Sequence, residues 1–398
     1  MFFKKFTILE RKNNNSKPRI ALLRGAVLEK RNIREMELLT DYFDIVAFGR
    51  PMKPEDKKTI TLPIMELKIK EVDYPAPESN LFRPFKAHMI GLEKELKDYD
   101  LIFTGDSYYQ MSYQAIEAKK KYRNRVVVLQ NENIPFNFNK EGNNHIHKKV
   151  IENADHFIAI ATPSKEALMI EGVSADKISV IPWGIDLNRF DNAREESKKT
   201  FIKKYNIPID AVKILYVGRL DWSKGVFDII YAAKKILMEE EIKNKKIAFI
   251  MIGNGPENEI LKKQAQLLKI EEYIYFCGNI PLDEIEIPYL ISDILLAPSI
   301  PTQSIREQFG QVLIEGMAAG LSIITTYTGA MPEVVGDSAI LIPPSDYVSL
   351  SKELKKLILE PILRQKLSIK AKERVKEKYD IQKVALQIKD TLNMVLKG

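Results

Sequence analysis

The stretch VKILYVGRLDWSKG (Val212–Gly225) joins an apolar run of strand length to a glycine, two cations and a second glycine. Short apolar runs that each lead into a longer helical pattern point to parallel βα units, because parallel strands need a crossover between them. The same grammar recurs in IAFIMIG, YIYFCG, DILLAPS, LSIITT and SAILIPP. Upstream, RIALLRG, FDIVAFGR, YDLIFTGD, RVVVLQN and DHFIAIAT read as further buried strands, and ISVIPWGIDLNRF as a strand running into Pro182, Trp183 and Gly184. A helix is expected from Val27 to about Thr40, and a polar, lysine-rich helix before AVKILYVGRL. From ELKKLILEP onward the chain reads as two or three amphipathic helices with Pro361 as a break. The fold class is therefore α/β, with two doubly wound Rossmann-like domains facing across a cleft. Ligands in such sheets sit beyond the carboxyl ends of the strands. The expected division is 1–187 and 188–375, with a C-terminal helix over 376–398 packing back toward the first domain.

The bulk numbers agree with two soluble domains. The chain has 398 residues, 45% hydrophobic and 29% charged, and no apolar run approaches the ~18 residues of a membrane span. MFFKKFTILERKNNNSKP lacks both a long apolar stretch and a small-residue cleavage site, so no signal peptide is expected. A single cysteine, Cys277, excludes an intramolecular disulfide and fits a reducing cytoplasm. Its neighbours in YIYFCGN mark it as an inert buried thiol. Four histidines without cysteines at ligand spacing argue against structural zinc. The net charge of +7 is concentrated early: residues 1–190 hold 31 Lys and Arg against 26 Asp and Glu. The cluster KKKYRNR (Lys119–Arg125) reads either as a solvated helix end or as a contact for an anionic partner, phosphate or membrane surface. No aromatic-and-basic motif points to nucleic acid.

The segment REQFGQVLIEGMAAG (Arg306–Gly320) poses a sharper question, because Glu307 and Glu315 stand eight positions apart in an otherwise apolar run. A buried carboxylate is costly unless it is paired or hydrogen-bonded. DILLAPS precedes it as a strand, so Glu307 belongs to a loop at a strand's carboxyl end and Glu315 lies one to two turns inside the next helix. Gly310 marks that helix's N-terminus, whose amides and dipole favour an anion. Arg219 and Lys224 flank the turn after VKILYVG, which is neither a P-loop nor a G-x-G-x-x-G fingerprint. IGNGPENEI is a tight turn with Pro256 in a first-turn position, and FCGNI is a weaker version. Taken singly, the cations read equally as surface charges and Glu315 as a solvated helix face. Together, cations and amides suit a diphosphate and carboxylates suit hydroxyls, and a nucleotide sugar offers both.

GRLDWSKG, GNGP and the run APS…REQFGQVLIEGMAAGLSIITTYTGAMPEVVGDSAILIPPSD closely resemble the donor domain of family 4 glycosyltransferases, which have the GT-B fold. ADHFIAIATPSKEALMIEGVSADKISVIPWGIDLNRF is similar to that family's segment joining the two domains. The resemblance implies an N-terminal acceptor domain, a C-terminal nucleotide-sugar domain and a retaining transfer of a hexosyl group. Arg219 and Lys224 would steady the donor diphosphate and Glu307 would face the sugar hydroxyls. The Phe309 and Gly310 amides, with Gln311 and Gly218, would line the donor, Glu315 would hold the ribose, and Ile280 stands where the family places the base. Gly25, on the donor side, resembles the first-domain glycine loop, where the family often has two glycines and this chain one. Arg24, Glu132 and Asn133 fall on the acceptor side; QNENIPF stands where the family often has a histidine, and His145 and His147 read as core or surface residues. The resemblance also implies a UDP- or GDP-sugar partner, a carbohydrate or lipid-linked acceptor, no cofactor and no metal. It places the chain in the cytoplasm, with peripheral contact at the inner membrane surface as a further expectation. The rival readings are a non-catalytic sugar-nucleotide-binding partner subunit and a GT-B epimerase; a phosphorylase would need a pyridoxal-binding lysine with supporting residues, for which this sequence gives no basis.

Overall fold

The structure, a computed structural model, describes residues 17–25, 27–51, 59–71, 87–137, 144–191 and 194–398. Residues 1–16, which carry the signal-peptide reading, and Ala26 of the first glycine loop lie outside them. The apolar runs read as strands all form strands. Those of the first sheet are β1 (Arg19–Leu23), β2 (Asp44–Phe48), β3 (Ile64–Met65), β4 (Leu101–Thr104), β5 (Arg125–Gln130), β6 (His156–Ala159) and β7 (Ile178–Val180). The second sheet holds β8 (Val212–Val217), β9 (Ile247–Ile252), β10 (Ile274–Gly278), β11 (Ile294–Ala297), β12 (Ser322–Thr326) and β13 (Ile340–Ile342). β4, β9, β11 and β12 are buried along their whole length. That explains why they read as continuous apolar runs rather than alternating ones: helices cover both faces of a parallel sheet.

The strand orders are β3-β2-β1-β4-β5-β6-β7 and β10-β9-β8-β11-β12-β13. The β1–β2, β1–β4, β2–β3 and β4–β5 pairs of the first sheet are parallel, as is β6–β7. All five pairs of the second sheet are parallel too. In each sheet the order reverses once, between β1 and β4 and between β8 and β11. A doubly wound sheet opens its crevice at such a point. The second core packs Ile214, Phe249, Leu296 and Ile324 against Ile229, Ala233 and Ile236 of the helix Val226–Leu237 and Leu350, Leu354 and Leu357 of the helix Tyr347–Leu359. Each such aliphatic side chain contributes about 1.5–3 kcal/mol when fully buried. Pro361 opens the next helix, Pro361–Lys378, at its first position, where its missing N–H costs nothing. The last helix runs Ile381–Lys397.

Two details depart from the sequence reading. The helix expected from Val27 is delayed: Val27–Leu28 pairs with Arg50–Pro51, a 3-10 turn follows at Lys30–Asn32, and the helix covers only Arg34–Glu37. Leu28 is completely buried, and the small ribbon seats it. The chain also adds β3 at the sheet edge and an antiparallel pair, Ile69–Glu71 with Ala87–Met89. By compactness the chain falls into two units, residues 1–128, 145–155 and 392–398, and residues 129–144 and 156–391.

Candidate functional site

Beyond β8 the chain turns through Arg219–Gly225. Asp221 caps the short turn Trp222–Lys224, its Oδ1 accepting from the Ser223 amide at 3.1 Å and the Ser223 hydroxyl at 2.6 Å. Asp221 thereby fixes where Lys224 emerges. Beyond β11, Pro298 and Ser299 open the loop that carries Glu307. The Ile300 amide donates to the Ser223 carbonyl at 2.7 Å, so the two loops are tied together at the point where the strand order reverses.

Lys224 and Glu307 meet there. The Lys224 ammonium lies 2.6 Å from Oε2 and 3.0 Å from Oε1 of Glu307, and the Ser299 hydroxyl donates to Oε2 at 3.1 Å. The two side chains are 32% and 19% exposed, so solvent screens the pair only in part while leaving it reachable. The Glu307 carbonyl is fixed as well, accepting from Asn133 Nδ2 and from the Ala330 amide, both at 3.0 Å. Each carboxylate of the REQFGQVLIEGMAAG segment thus has a partner within the protein, which the sequence reading assigned to ligand hydroxyls alone.

The helix Gln311–Ala319 begins at Gly310, whose φ of 82° is the left-handed region that glycine tolerates, and no side chain caps it. The first-turn amides of an α-helix have no intrahelical acceptor, and this end therefore favours negative charge. Gln311 is its first residue, and the Phe309 ring is buried against Tyr379 at 5.8 Å between centroids. Glu315 lies on the second turn. Its Oε2 accepts from the Tyr289 hydroxyl at 2.6 Å. Tyr289 is completely buried, and that burial, then the Glu315 charge, drives its pKa well above the ordinary phenol value.

The other expected site residues fall as follows. Gly218 directly follows β8, and Arg219 is half-exposed, 3.8 Å from Asp221. Ile280, just past β10, is half-buried in the wall of a cavity of about 750 Å³ shared with Arg189, Lys204 and Glu286. Glu132 is turned into its own loop: Oε1 accepts from the Asn133 and Ile134 amides at 2.9 and 2.8 Å, and Oε2 from Asn137 Nδ2 at 3.2 Å. Asn133, by contrast, reaches the Glu307 loop. Arg24 and Gly25 follow β1 in the other compact unit. There the Arg24 Nε donates to the Asn32 carbonyl at 3.2 Å, and burial lowers the guanidinium pKa against the opposing pull of Asp106 and Glu35. His147 is buried, 2.9 Å from the Ser107 hydroxyl and stacked on Tyr108, as a core histidine would be. Cys277 is buried, and burial pushes its thiol up to about 12, which makes it inert. Ser299, Asp221 and Tyr289 were not singled out from the sequence. Ser299 closes DILLAPS and could have been suspected from its place after a strand; nothing around Tyr289 signalled its partner.

Among the described residues no group of three or more His, Cys, Asp or Glu could hold a metal ion, and no helix is long and apolar enough to cross a membrane.

Two family models match the chain in tandem: "Glycosyltransferase Family 4" over residues 34–189 and "Glycosyl transferases group 1" over residues 197–374. The chain belongs to glycosyltransferase family 4. Among relatives of this family-4 chain, an uncharacterized glycosyltransferase of Methanocaldococcus jannaschii is 29% identical over 233 residues, 58% of this chain and 56% of that protein. A D-inositol 3-phosphate glycosyltransferase of Corynebacterium jeikeium is 29% identical over 226 residues, 54% of this chain and 52% of that protein. The chain thus spans about half the length of the curated relatives it matches. Anabaena HepE, solved in complex with UDP, shares the fold with a TM-score of 0.75 at 16% identity, over 95% of this chain and all of that one. The fold is GT-B.

Proposed function

We propose that this family 4 member is a retaining hexosyltransferase that moves a sugar from a UDP- or GDP-sugar to a glycan, glycolipid or lipid-linked acceptor. The observation that carries this reading is the Lys224–Glu307–Ser299 cluster beside the uncapped start of the helix Gln311–Ala319. It supplies a cation and amides for a departing diphosphate, and a carboxylate for sugar hydroxyls, at one point. Arg219 adds a second, half-exposed cation on the same loop. Glu315 takes the ribose, Ile280 faces the base, and Gly218, Phe309, Gly310 and Gln311 contribute main-chain surface. Gly25 is assigned to the donor, and Arg24 and Asn133 to the acceptor side, while Glu132 holds the loop that presents Asn133.

Retention is what the family resemblance implies, and the partners of Glu307 bear only on its route, favouring front-side attack over a double displacement through that carboxylate. A carboxylate bonded to both Lys224 and Ser299 is a poor nucleophile, because its charge is already shared. The acceptor hydroxyl attacks the anomeric carbon on the face the diphosphate leaves, and its proton passes to the leaving phosphate oxygen. Lys224, Arg219 and the helix amides stabilise the charge that develops there, which is the largest single term in most such sites.

The test is nucleotide release from UDP- and GDP-hexoses, with a panel of glycan and lipid acceptors, in excess chelator. Release that depends on acceptor and is unchanged by the chelator is expected, and Lys224→Ala should lower kcat about 10²–10³-fold. Loss of activity on chelation, restored by Mg²⁺ or Mn²⁺, would sink the metal-free scheme. Isomerised donor with no release would favour the epimerase, and donor binding without turnover the partner subunit.

A further inference from the structure

We infer that Tyr289 is a positioning residue for nucleotide recognition: its hydroxyl holds Glu315 in the orientation that accepts a hydrogen bond from the donor ribose. This rests on the assignment of Glu315 to the ribose made above, and extends it to a residue that touches no substrate.

A completely buried phenol must place its O–H against an acceptor or lose a hydrogen bond outright. Tyr289 has met that demand with a carboxylate oxygen, Glu315 Oε2 at 2.6 Å, a charge-assisted bond of the short, strong kind. A core residue could have been Phe at no cost in packing. The ring's seat is itself fixed. Phe190 packs edge-on against it at 6.2 Å between centroids. Arg189 clamps the start of its helix, Glu286–Leu290, donating to Glu286 Oε1 and Oε2 at 3.3 and 3.1 Å and to the Leu282 carbonyl at 2.9 Å. Glu315, half-buried on the neighbouring helix, thus has its Oε2 held by a rigid donor.

That arrangement matters for binding rather than for chemistry. A glutamate side chain loses rotamer freedom when it engages a ligand, and a group already ordered in the free protein loses less. Tyr289 lets Glu315 present its carboxylate to a hydroxyl in one orientation. Removing the phenol oxygen keeps the carboxylate and its charge but removes the bond that orients Oε2. The ribose lies away from the breaking glycosidic bond, so the loss falls on ground and transition states alike, and donor KM rises while kcat holds.

The test titrates UDP, GDP and their 2′-deoxy and 3′-deoxy counterparts against wild type, Tyr289→Phe and Phe190→Leu by calorimetry, with melting temperatures to confirm folding. Wild type should lose about tenfold or more in affinity when the recognised ribose hydroxyl is removed. Tyr289→Phe should bind the parent nucleotide about tenfold more weakly, as for one charge-assisted hydrogen bond, and its discrimination should fall to threefold or less. Phe190→Leu, which loosens one side of the ring while Arg189 still clamps its helix and the hydroxyl remains, should lose clearly less discrimination than Tyr289→Phe. Full discrimination in Tyr289→Phe overturns the inference alone, as does equal loss in Phe190→Leu. A wild type indifferent to both ribose hydroxyls overturns the Glu315 assignment itself, and the inference with it.

Discussion

Glu307 and Glu315 are the same residue type on one segment, yet their partners give them different work. Glu307 is held by a cation and a hydroxyl, Lys224 and Ser299; Glu315 is held by a buried phenol. Under the proposed function, Glu307 touches the sugar whose bond breaks and Glu315 a ribose remote from it. Glu307→Gln keeps the shape, removes the charge that pairs Lys224, and should lower kcat about 10–10³-fold with donor KM little changed. Glu315→Ala should mainly weaken donor binding, by roughly 1.5–3 kcal/mol, ten- to a hundredfold. Steady-state kinetics at fixed acceptor separates the two, and near wild-type kcat and donor KM in both variants would remove the donor site from this segment. At this scale the sequence was legible wherever chemistry needs a charge: Lys224, Glu307 and Glu315 stand out by type and spacing. Tyr289 did not, because its meaning lies in a contact 26 residues away. The contacts of Glu132 were equally hidden. It was read from its place where the family often has a histidine, and the structure adds that its carboxylate accepts from the amides of its own loop.

The element scale explains why GNGP, weak as a motif, is needed. The turn after β9 lies backbone to backbone on the turn after β8. A Cβ on Gly253, at φ +122°, would stand 1.9 Å from the Gly218 carbonyl oxygen, and one on Gly255 would stand 2.1 Å from that of Leu220. Neither contact can be relieved by a side chain moving aside. The Leu220 amide donates to the Asn254 carbonyl at 3.0 Å and the Glu257 amide to that of Leu220 at 3.1 Å, which locks the turns together. Gly253→Ala and Gly255→Ala should therefore shift the loop that carries Arg219 and Lys224. A loss of about 1–3 kcal/mol in stability is expected, with a larger proportional loss in kcat/KM than in expression. Denaturant melts and kinetics on the same preparations check this, and wild-type stability in both variants would show that the turns are not packed as described. Strands and most helices were readable because burial on both faces leaves an unbroken apolar run. The segment after β1 was not, since LEKRNIREMELL has a helical pattern that loses its first residues to pairing of Val27–Leu28 with Arg50–Pro51. The edge strand Ile64–Met65 is two residues long and too short to leave a pattern.

At the scale of the whole molecule the question is where the charge is free to act. The basic groups that suggested an anionic partner are largely answered by carboxylates. Lys119 lies 2.8 Å from Asp155, Arg125 3.4 Å from the same residue and Lys120 2.8 Å from Glu117. After the first glycine loop, Lys30 pairs with Glu37 at 2.5 Å, Arg31 with Glu29, and Arg34 lies 3.9 Å from Glu35. Lysines 119–121 close the helix Gln110–Tyr122, where cations also complement the helix dipole. Of the excess of five positive charges in residues 1–190, three come from Lys4, Lys5, Arg11 and Lys12 against Glu10. By sequence charge, those four residues are therefore the first place to test an attraction to an anionic surface. Each contributes about 1 kcal/mol near such a surface at most, and salt at about 0.15 M screens beyond roughly 8 Å. Flotation with phosphatidylserine vesicles should retain the chain at about 20 mM salt, release it near 0.15 M, and fail at both when the four are changed to Gln. Retention that ignores salt would point to apolar insertion instead. Retention that survives the four substitutions would return the contact to the helix end at Lys119–Arg125.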